Sequence, residues 1–567
     1  MIFYDFEVFK FDWLVVLNDT DTRQSHVITN DPDQLKSFYE QHKSNIWCGF
    51  NSRQYDQYIL KAILCDFDPY DVSQHIIAKK QGGWSYSRLF MRIPLNNYDV
   101  MTDRYRGLKE LEGFMGSNIK ETSVPFDIDR KLTSSELQEV IQYCIHDVEQ
   151  TMEVFVNRIE EFESHMSLIK AFNLPLSYLG KTKAQITAAI LDAKRLSRDD
   201  EFDIILPDTL QVEKYRHIVD WYMDLENRDY KKSLVTDVAG VEHVFGWGGL
   251  HGAIPNYQGR GIFLNIDVAS YYPALMIEYG FLSRNVANPT KYRQIRDERL
   301  RLKAEKNPMA NPLKIVLNST YGASKDKYNG LYDPRQANNV CVGGQLLLLD
   351  LIEKLEGSCE LIQSNTDGLI VKVRRRRDIE HVRSICAEWE QRTRMVLEFE
   401  EFERIYQKDV NNYIVIHQDG SYKSKGGYVK KLDNLDYDLP IVNKAVVDYF
   451  IHGADPEVTI DRCDQLREFQ KVVKVSGKYL YGLYNDEILS ERVLRVFASR
   501  GRGDGGVFKV KDVKGELRIE KIANTPERCF IENGDVTEMK VPRKLDKRWY
   551  VDVARKRITD FLGGEHQ

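Results

Sequence analysis

The stretch Asn265-Ile266-Asp267-Val268-Ala269-Ser270-Tyr271-Tyr272-Pro273 constrains the chain more than any other. Ahead of it Gly259-Arg260-Gly261 reads as a turn, and Ile262-Phe263-Leu264 with Ile266 as a buried strand rich in branched and aromatic residues. A carboxylate at the end of such a strand is held rigidly with its oxygens toward a cleft. A single Asp there is equally an ordinary helix N-cap, so its meaning depends on a second acid facing it. Residues 359–373 supply one, because two apolar runs flank Asn365-Thr366-Asp367-Gly368, which has the turn chemistry of a β-hairpin. Asp267 and Asp367 on neighbouring strand ends would share divalent ions. Phosphoryl transfer needs two such ions about 3.5–4 Å apart, and hard Mg²⁺ suits carboxylate ligands.

Asp267-x-x-Ser270-Tyr271-Tyr272-Pro273 resembles motif A of the family B DNA polymerases. Lys314 through Asn318, Ser319, Tyr321 and Gly322 resembles their motif B, and Asn365-Thr366-Asp367 stands where motif C carries Asp-Thr-Asp. Three motifs in the family's order are far more specific than any one alone. At the other end of the chain, residues 2–9 alternate, which puts Asp5 and Glu7 on one strand face. Strand-like 13–17 follows, then 46–50 leading into Asn51-Ser52-Arg53-Gln54-Tyr55-Asp56, and a helical stretch ending Tyr143-Cys144-Ile145-His146-Asp147. Singly, these acids read as surface charges or caps. Together they resemble the three exonuclease motifs of proofreading polymerases, whose fold is ribonuclease-H-like. The resemblance implies that Asp5, Glu7, Asp56 and Asp147 hold two metals and that Tyr143 orients the attacking water of an active 3′→5′ exonuclease. Phe50, by stacking, and Asn51 are expected to meet a frayed strand. Leu108 is a further contact, although Gly107 replaces the family's Ser/Thr before it. Arg130 and Lys131 read first as solvated cations, and second as partners of a leaving phosphate.

Between motifs A and B, Lys291, Arg293, Arg296, Arg299, Arg301, Lys303 and Lys306 crowd one helical stretch. Asn307-Pro308-Met309 breaks it, and a second helix carries Lys314 and Asn318 at i, i+4. A charge run is most often a solvated face. The family's Arg-x3-Lys pattern implies instead that Arg299, Lys303 and Lys314 grip the triphosphate of an incoming deoxynucleotide. By the same resemblance Asn318 joins that nucleotide site, Tyr321 supports the nascent base pair, and Tyr272 blocks a 2′-hydroxyl. Asp267, Asp367 and the backbone carbonyl of Val268 would bind Mg²⁺, two ions per active site, with Mn²⁺ as a substitute. Three departures stand out: Asn365 for the first motif C acid, Gly246 for the tyrosine of a Tyr-x-Gly-Gly motif, and Asn411 for the lysine of a Lys-x-Tyr primer motif. Tyr413 and Thr366 remain as DNA contacts, and Lys423, Lys425, Lys430 and Lys431 are expected to bind the backbone.

A chain of 567 residues suggests three to four domains. The net charge of −6 argues against a nucleic-acid partner, but catalytic acids lower the total while basic strips remain. Eight cysteines without CxxC pairs fit reduced thiols in a cytosol. No apolar run long enough for a membrane span and no signal peptide is read. The expected architecture is α/β and multidomain, a ribonuclease-H-like exonuclease plus a right-hand polymerase. Its limits are exonuclease 1–165, connecting helical region 166–240, palm with an antiparallel sheet 241–285 and 323–434, short helical fingers 286–322, and thumb 435–567. Residues 378–397 are expected to be helical. The Arg500-Gly501-Arg502 loop and Lys540, Arg543, Lys544, Lys547 and Arg548 suit duplex phosphates, with salt-dependent, sequence-indifferent binding.

The resemblance implies a DNA-directed DNA polymerase with 3′→5′ proofreading, of compact bacteriophage or mobile-element type. Its partners would be a DNA primer-template and dNTPs. A monomer in the (host) cytoplasm is expected, with no membrane association and with room for accessory replication proteins. Short intervals beside motif B lack the insertions of protein-primed members. The alternative is a 3′→5′ exonuclease with an inactive polymerase half, and it rests on Asn365.

Overall fold

The computed structural model describes residues 1–101 and 106–564. It is mixed α/β and divides into two compact units. Unit 1 takes Met1–Lys181, Leu432–Val442 and Ile460–Val551; unit 2 takes Thr182–Lys431, Asn443–Thr459 and the residues from Asp552 onward. Among the described residues no helix is long and apolar enough to cross a membrane.

Unit 1 begins with β1 (Ile2–Val8), β2 (Trp13–Asp19), β3 (Gln24–Thr29), β4 (Ile46–Gly49) and β5 (Asn96–Asp99), in the order β3-β2-β1-β4-β5. The β1–β2 and β2–β3 pairs are antiparallel, and the β1–β4 and β4–β5 pairs are parallel. Alternation along β1 splits its side chains between two cores. Ile2, Tyr4 and Phe6 pack with Ile59 and Leu60 of helix Asp56–Leu64. Phe3 packs with Val140, Cys144 and Val148 of helix Ser134–Asn157, so Asp5 and Glu7 share the face toward that helix. A capping box fixes the start of that helix: Glu136 N–H donates to Thr133 Oγ1 at 3.3 Å, and Thr133 N–H donates to Glu136 Oε2 at 2.8 Å.

Unit 2 is built on a nine-stranded, wholly antiparallel sheet. Its strands are β6 (Ser233–Val238), β7 (Val241–Gly246), β8 (His251–Ala253), β9 (Tyr257–Val268), β10 (Glu360–Ser364), β11 (Gly368–Val373), β12 (Leu397–Asp409), β13 (Asn412–Ile416) and β14 (Tyr422–Lys425). They run in the order β14-β13-β12-β9-β11-β10-β8-β7-β6. Helix Pro334–Leu355, buried along nearly its whole length, belongs to the same unit.

Three expectations are corrected here. Gly259-Arg260-Gly261 is no turn but lies inside β9, where pairing with β12 shifts register between Phe402 and Arg404. Gly261, at φ +146°, supplies the conformation that this irregularity needs. Residues 166–240 are helical only in part, because β6 already begins at Ser233, where Val235, Thr236 and Val238 favour a strand and Ala239-Gly240 closes a hairpin with β7. The helix expected over 378–397 ends at Thr393, capped by left-handed Arg394, and Leu397-Glu398-Phe399 alternates into β12.

The later part of unit 1 holds β15 (Lys471–Lys474), β16 (Tyr481–Tyr484), β17 (Glu487–Leu489), β18 (Val493–Ala498), β19 (Val507–Val513), β20 (Glu516–Lys521) and β21 (Cys529–Ile531). These form two further antiparallel sheets, β15-β18-β21 and β17-β16-β19-β20.

Candidate functional site

Register brings the first pair of acids together. Asp267 lies opposite Gly368 on β11 and Glu398 on β12, and Val268 N–H donates to the Asp367 carbonyl at 2.8 Å. In the turn between β10 and β11, Asn365 N–H donates to Gly368 O at 2.9 Å and Asp367 N–H donates to Asn365 Oδ1 at 3.1 Å. Asn365 thus caps its own turn, a task an aspartate oxygen performs equally well. Gly368 is required sterically, since a Cβ there would lie 2.0 Å from Asp267 Oδ1. Asp367 is exposed and Asp267 half-buried. Burial, with added repulsion from Asp367, Glu400 and Glu398, pushes Asp267 up to about 6, although Asn265 Nδ2 donates to its carboxylate. Such a carboxylate gains from a nearby cation.

Ser270 adopts a left-handed conformation at φ +50° and opens helix Tyr271–Glu278. The two tyrosines then part. Tyr271 is buried, its hydroxyl donating to Gly344 O at 2.6 Å, whereas the ring of Tyr272 meets Tyr321 at 4.3 Å between centroids. Helix Pro289–Ala304 delivers Arg299, which is buried and donates from Nη1 to Ser270 Oγ at 3.2 Å, and Lys303, 3.9 Å from Glu398. Lys314 and Asn318 are exposed one turn apart on helix Ala310–Lys325. Tyr413 on β13 is close enough to the acid pair that, after burial, the charges of Asp267 and Asp367 raise its pKa. Lys423 pairs with Glu400, and Lys425 is exposed.

The glycine-rich segment after β7 lies beside the same turn, since a Cβ on Gly249 would stand 3.4 Å from Thr366 Oγ1. Beneath it, buried His243 donates from Nδ1 to Val241 O at 2.7 Å and accepts at Nε2 from the Ser364 hydroxyl at 2.6 Å. The His243–Ser364 pair, the hydrogen bond from Asn265, Glu398 and Glu400 escaped the sequence reading. The period-two acids of Leu397-Glu398-Phe399-Glu400 were the one available signal.

A second acid centre lies in unit 1. Asp56 opens helix Asp56–Leu64, and its Oδ1 accepts from Phe6 N–H at 3.1 Å. Cys144 Sγ stands 3.4 Å from Asp5 O and 3.6 Å from Asp5 Oδ2. Lys109, on helix Leu108–Met115, pairs with Glu112 at 2.9 Å and with Asp147, and lies 4.7 Å from the Tyr143 ring centroid. Burial first, then the neighbouring carboxylates, holds Asp5 and Glu7 well above the ordinary range. Asp56 is pushed up to about 7, mainly by burial and against the Phe6 hydrogen bond. Asp147 rises to about 6 by burial, which Lys109 opposes. Burial and then Asp147, Glu7 and Asp5 raise the Tyr143 hydroxyl. Four converging carboxylates that each resist ionisation fit hard divalent cations.

Phe50 and Leu108 are half-buried against the core around Phe3 and Cys144, and Asn51 is left-handed at φ +58°. Lys109, Glu112 and Cys144 were missed; the i, i+3 spacing of Lys109 and Glu112 was the only hint. Some expected phosphate contacts are engaged within the chain. Arg130 pairs with Glu136, Lys540 with Asp464, and Lys547 donates to the carbonyls of Asp461 and Cys463.

No family model matches the chain, and no curated protein matches it. Among solved structures it is similar to the family B DNA polymerase from the hyperthermophilic archaeon Pyrobaculum calidifontis, at 14% identity and a TM-score of 0.42. That match covers 100% of this chain and 78% of the archaeal one. A likeness of that strength carries nothing about the chemistry of either centre.

Proposed function

We propose that the chain is a DNA-directed DNA polymerase with a 3′→5′ proofreading exonuclease, acting on a primer-template with dNTPs. The observation that carries this reading is the coexistence of two acid centres, each on its own sheet. One has Asp267 and Asp367 on adjoining strand ends, and the other has Asp5 and Glu7 on one strand face. Divalent ions, Mg²⁺ first, would neutralise leaving-group charge at both centres and activate the attacking hydroxyl or water.

In unit 2, Asp267, Asp367 and the Val268 carbonyl hold the ions. Arg299, Lys303 and Lys314 take the triphosphate, with Asn318 beside them. Tyr272 and Tyr321 line the sugar and base positions, and their ring contact supports a shared role there. Thr366, Tyr413, Lys423 and Lys425 bind primer and template. In unit 1, Asp5, Glu7, Asp56 and Asp147 hold the ions, and Tyr143 orients water. Phe50, Asn51 and Leu108 receive the frayed strand. The sheet order β3-β2-β1-β4-β5, with two parallel pairs, supports a ribonuclease-H-like exonuclease. The antiparallel sheet around β9 supports a palm. The assignment extends to the exonuclease, palm, fingers and thumb limits read above, to a monomer, and to replication of a phage or mobile element.

Primer extension on a recessed duplex with Mg²⁺, with and without dNTPs, tests the reading. Extension should vanish only in Asp367→Ala, and primer degradation only in Asp5→Ala. A wild-type chain that degrades but never extends leaves a nuclease alone, and Asn365 would then mark the lost half.

A further inference from the structure

We propose that Asp5, Glu7 and Cys144 form a site for a thiophilic divalent ion, of the zinc or cadmium class, that shuts down the unit 1 centre. The shutdown rests on the exonuclease reading above; the ion site itself does not.

Ligand atoms of these three residues all lie within 4.8 Å of one another. The Cys144 Sγ to Asp5 Oδ2 distance of 3.6 Å is what a tetrahedral ion needs, since Zn–S of about 2.3 Å and Zn–O of about 2.0–2.2 Å put S and O about 3.5 Å apart. The ligand that points to a cation is Glu7. It is 7% exposed, its carboxylate has no hydrogen-bond partner among the described residues, and it is aimed at Asp5 and Cys144. A buried carboxylate without a hydrogen bond is costly unless a cation joins it. Helix Ser134–Asn157 turns Cys144 inward in line with Val140 and Val148, so the sulfur is carried on a rigid element.

Hard Mg²⁺ has no preference for the sulfur, while zinc-class ions select thiolate. Binding would replace the Cys144 S–H bond by a sulfur–metal bond and release that proton to solvent, together with any proton that Asp5 or Glu7 carries. It would also take Asp5 and Glu7 away from the Mg²⁺ that primer degradation requires. The acid pair in unit 2 offers Asp267, Asp367 and a backbone carbonyl, all oxygen; the thiol nearest in that unit's site, Cys341, is engaged with Tyr321 and not with the acids. Micromolar zinc would therefore lower degradation relative to extension and make copying less accurate.

The test is titration of the full-length, metal-free protein with Cd²⁺, following the ultraviolet thiolate-to-cadmium charge-transfer band and the proton released. Wild type should give a saturable band that is absent in Cys144→Ser and in Cys144→Ala and retained in Cys359→Ser, with folding of each verified by thermal unfolding. Glu7→Gln should keep the band but weaken Cd²⁺ binding by at least about tenfold, the lower bound for losing even an outer partner of a metal ligand. Zn²⁺ should inhibit Mg²⁺-dependent primer degradation in wild type, with the inhibiting concentration raised in Cys144→Ser, each read against its own Mg²⁺ rate. A wild-type band that survives in folded Cys144→Ser overturns the proposal. If the band needs Cys144 but Mg²⁺ supports no degradation, the ion site stands and the exonuclease reading falls. If degradation needs Asp5 but the band ignores Cys144, the reverse holds.

Discussion

In unit 1 the acids are enclosed. Glu7, Asp56 and Asp147 are 7%, 3% and 8% exposed, and the cation among them, Lys109, belongs to the protein. In unit 2 Asp367 is exposed, Asp267 is half-buried, and the cations beside them, Arg299 and Lys303, hang from a separate helix. An enclosed set of acids carries its repulsion in the folded state whether or not ligand is present. An open pair lets water screen much of that repulsion and leaves room for a triphosphate. The first arrangement suits a small, repetitive task on a strand end, and the second suits a large substrate that must enter and leave at every cycle.

The sharpest test of that contrast removes one acid from each centre. Asp267→Ala should lower extension by about a thousandfold, as loss of several kcal/mol of metal-borne charge stabilisation requires, with degradation retained; Asp56→Ala should do the converse, both read on one labelled primer. Next in size, Lys109→Met leaves buried Glu112 and Asp147 without their half-buried cation and should destabilise unit 1 by about 3–5 kcal/mol, seen as an earlier unfolding transition that Mg²⁺ partly restores. No equivalent loss is expected from Lys303→Met, whose partner Glu398 is exposed. Gly368→Ala pushes a methyl into the Asp267 carboxylate and should cost extension about a hundredfold, the scale of an ångström misplacement, while degradation is unchanged. If extension survives, the strand-end geometry is looser than the register implies.

The smallest effect is in pH. The folded-state pKa of Asp56 lies above its ordinary 3.8, at about 7, so folding favours its protonated form. Its contribution is whole below 3.8 and is lost as pH rises through about 7. Metal-free unit 1 should therefore weaken over that window, and Asp56→Asn should flatten the slope in chelator-treated thermal scans. Asp267, with the same sign, ends its window near about 6.

Much of this was legible in the chain because both acid strands announce themselves locally. Apolar alternation fixes β1, and branched residues fix β9. The Asn365-Thr366-Asp367-Gly368 turn also read correctly. What stayed hidden depends on partners far apart in sequence. Gly261 looked like a turn because a bulge and a turn ask the same of one glycine, and only the register of β12 decides between them. Lys109 gave no sign of its role because nothing nearby in the sequence tells that Asp147 will stand beside it. His243 gave no sign of Ser364, which lies 121 positions away.

Each unit gathers its residues from three separate lengths of chain, and unit 2 needs Asp552 onward: Asn256 Nδ2 donates to the carbonyls of Asp560 and Phe561 at 2.9 and 3.0 Å. On the ribosome, therefore, neither unit can close when its first segment emerges. The β1–β5 sheet must wait for Leu432–Val442 and Ile460–Val551, and the β9 sheet for residues made later still. Such delayed closure exposes unfinished surfaces for the length of synthesis. It also means that a gene fragment cut cleanly at residue 181 would encode an incomplete unit 1, so recombination that shuffles such units would have to exchange three pieces together.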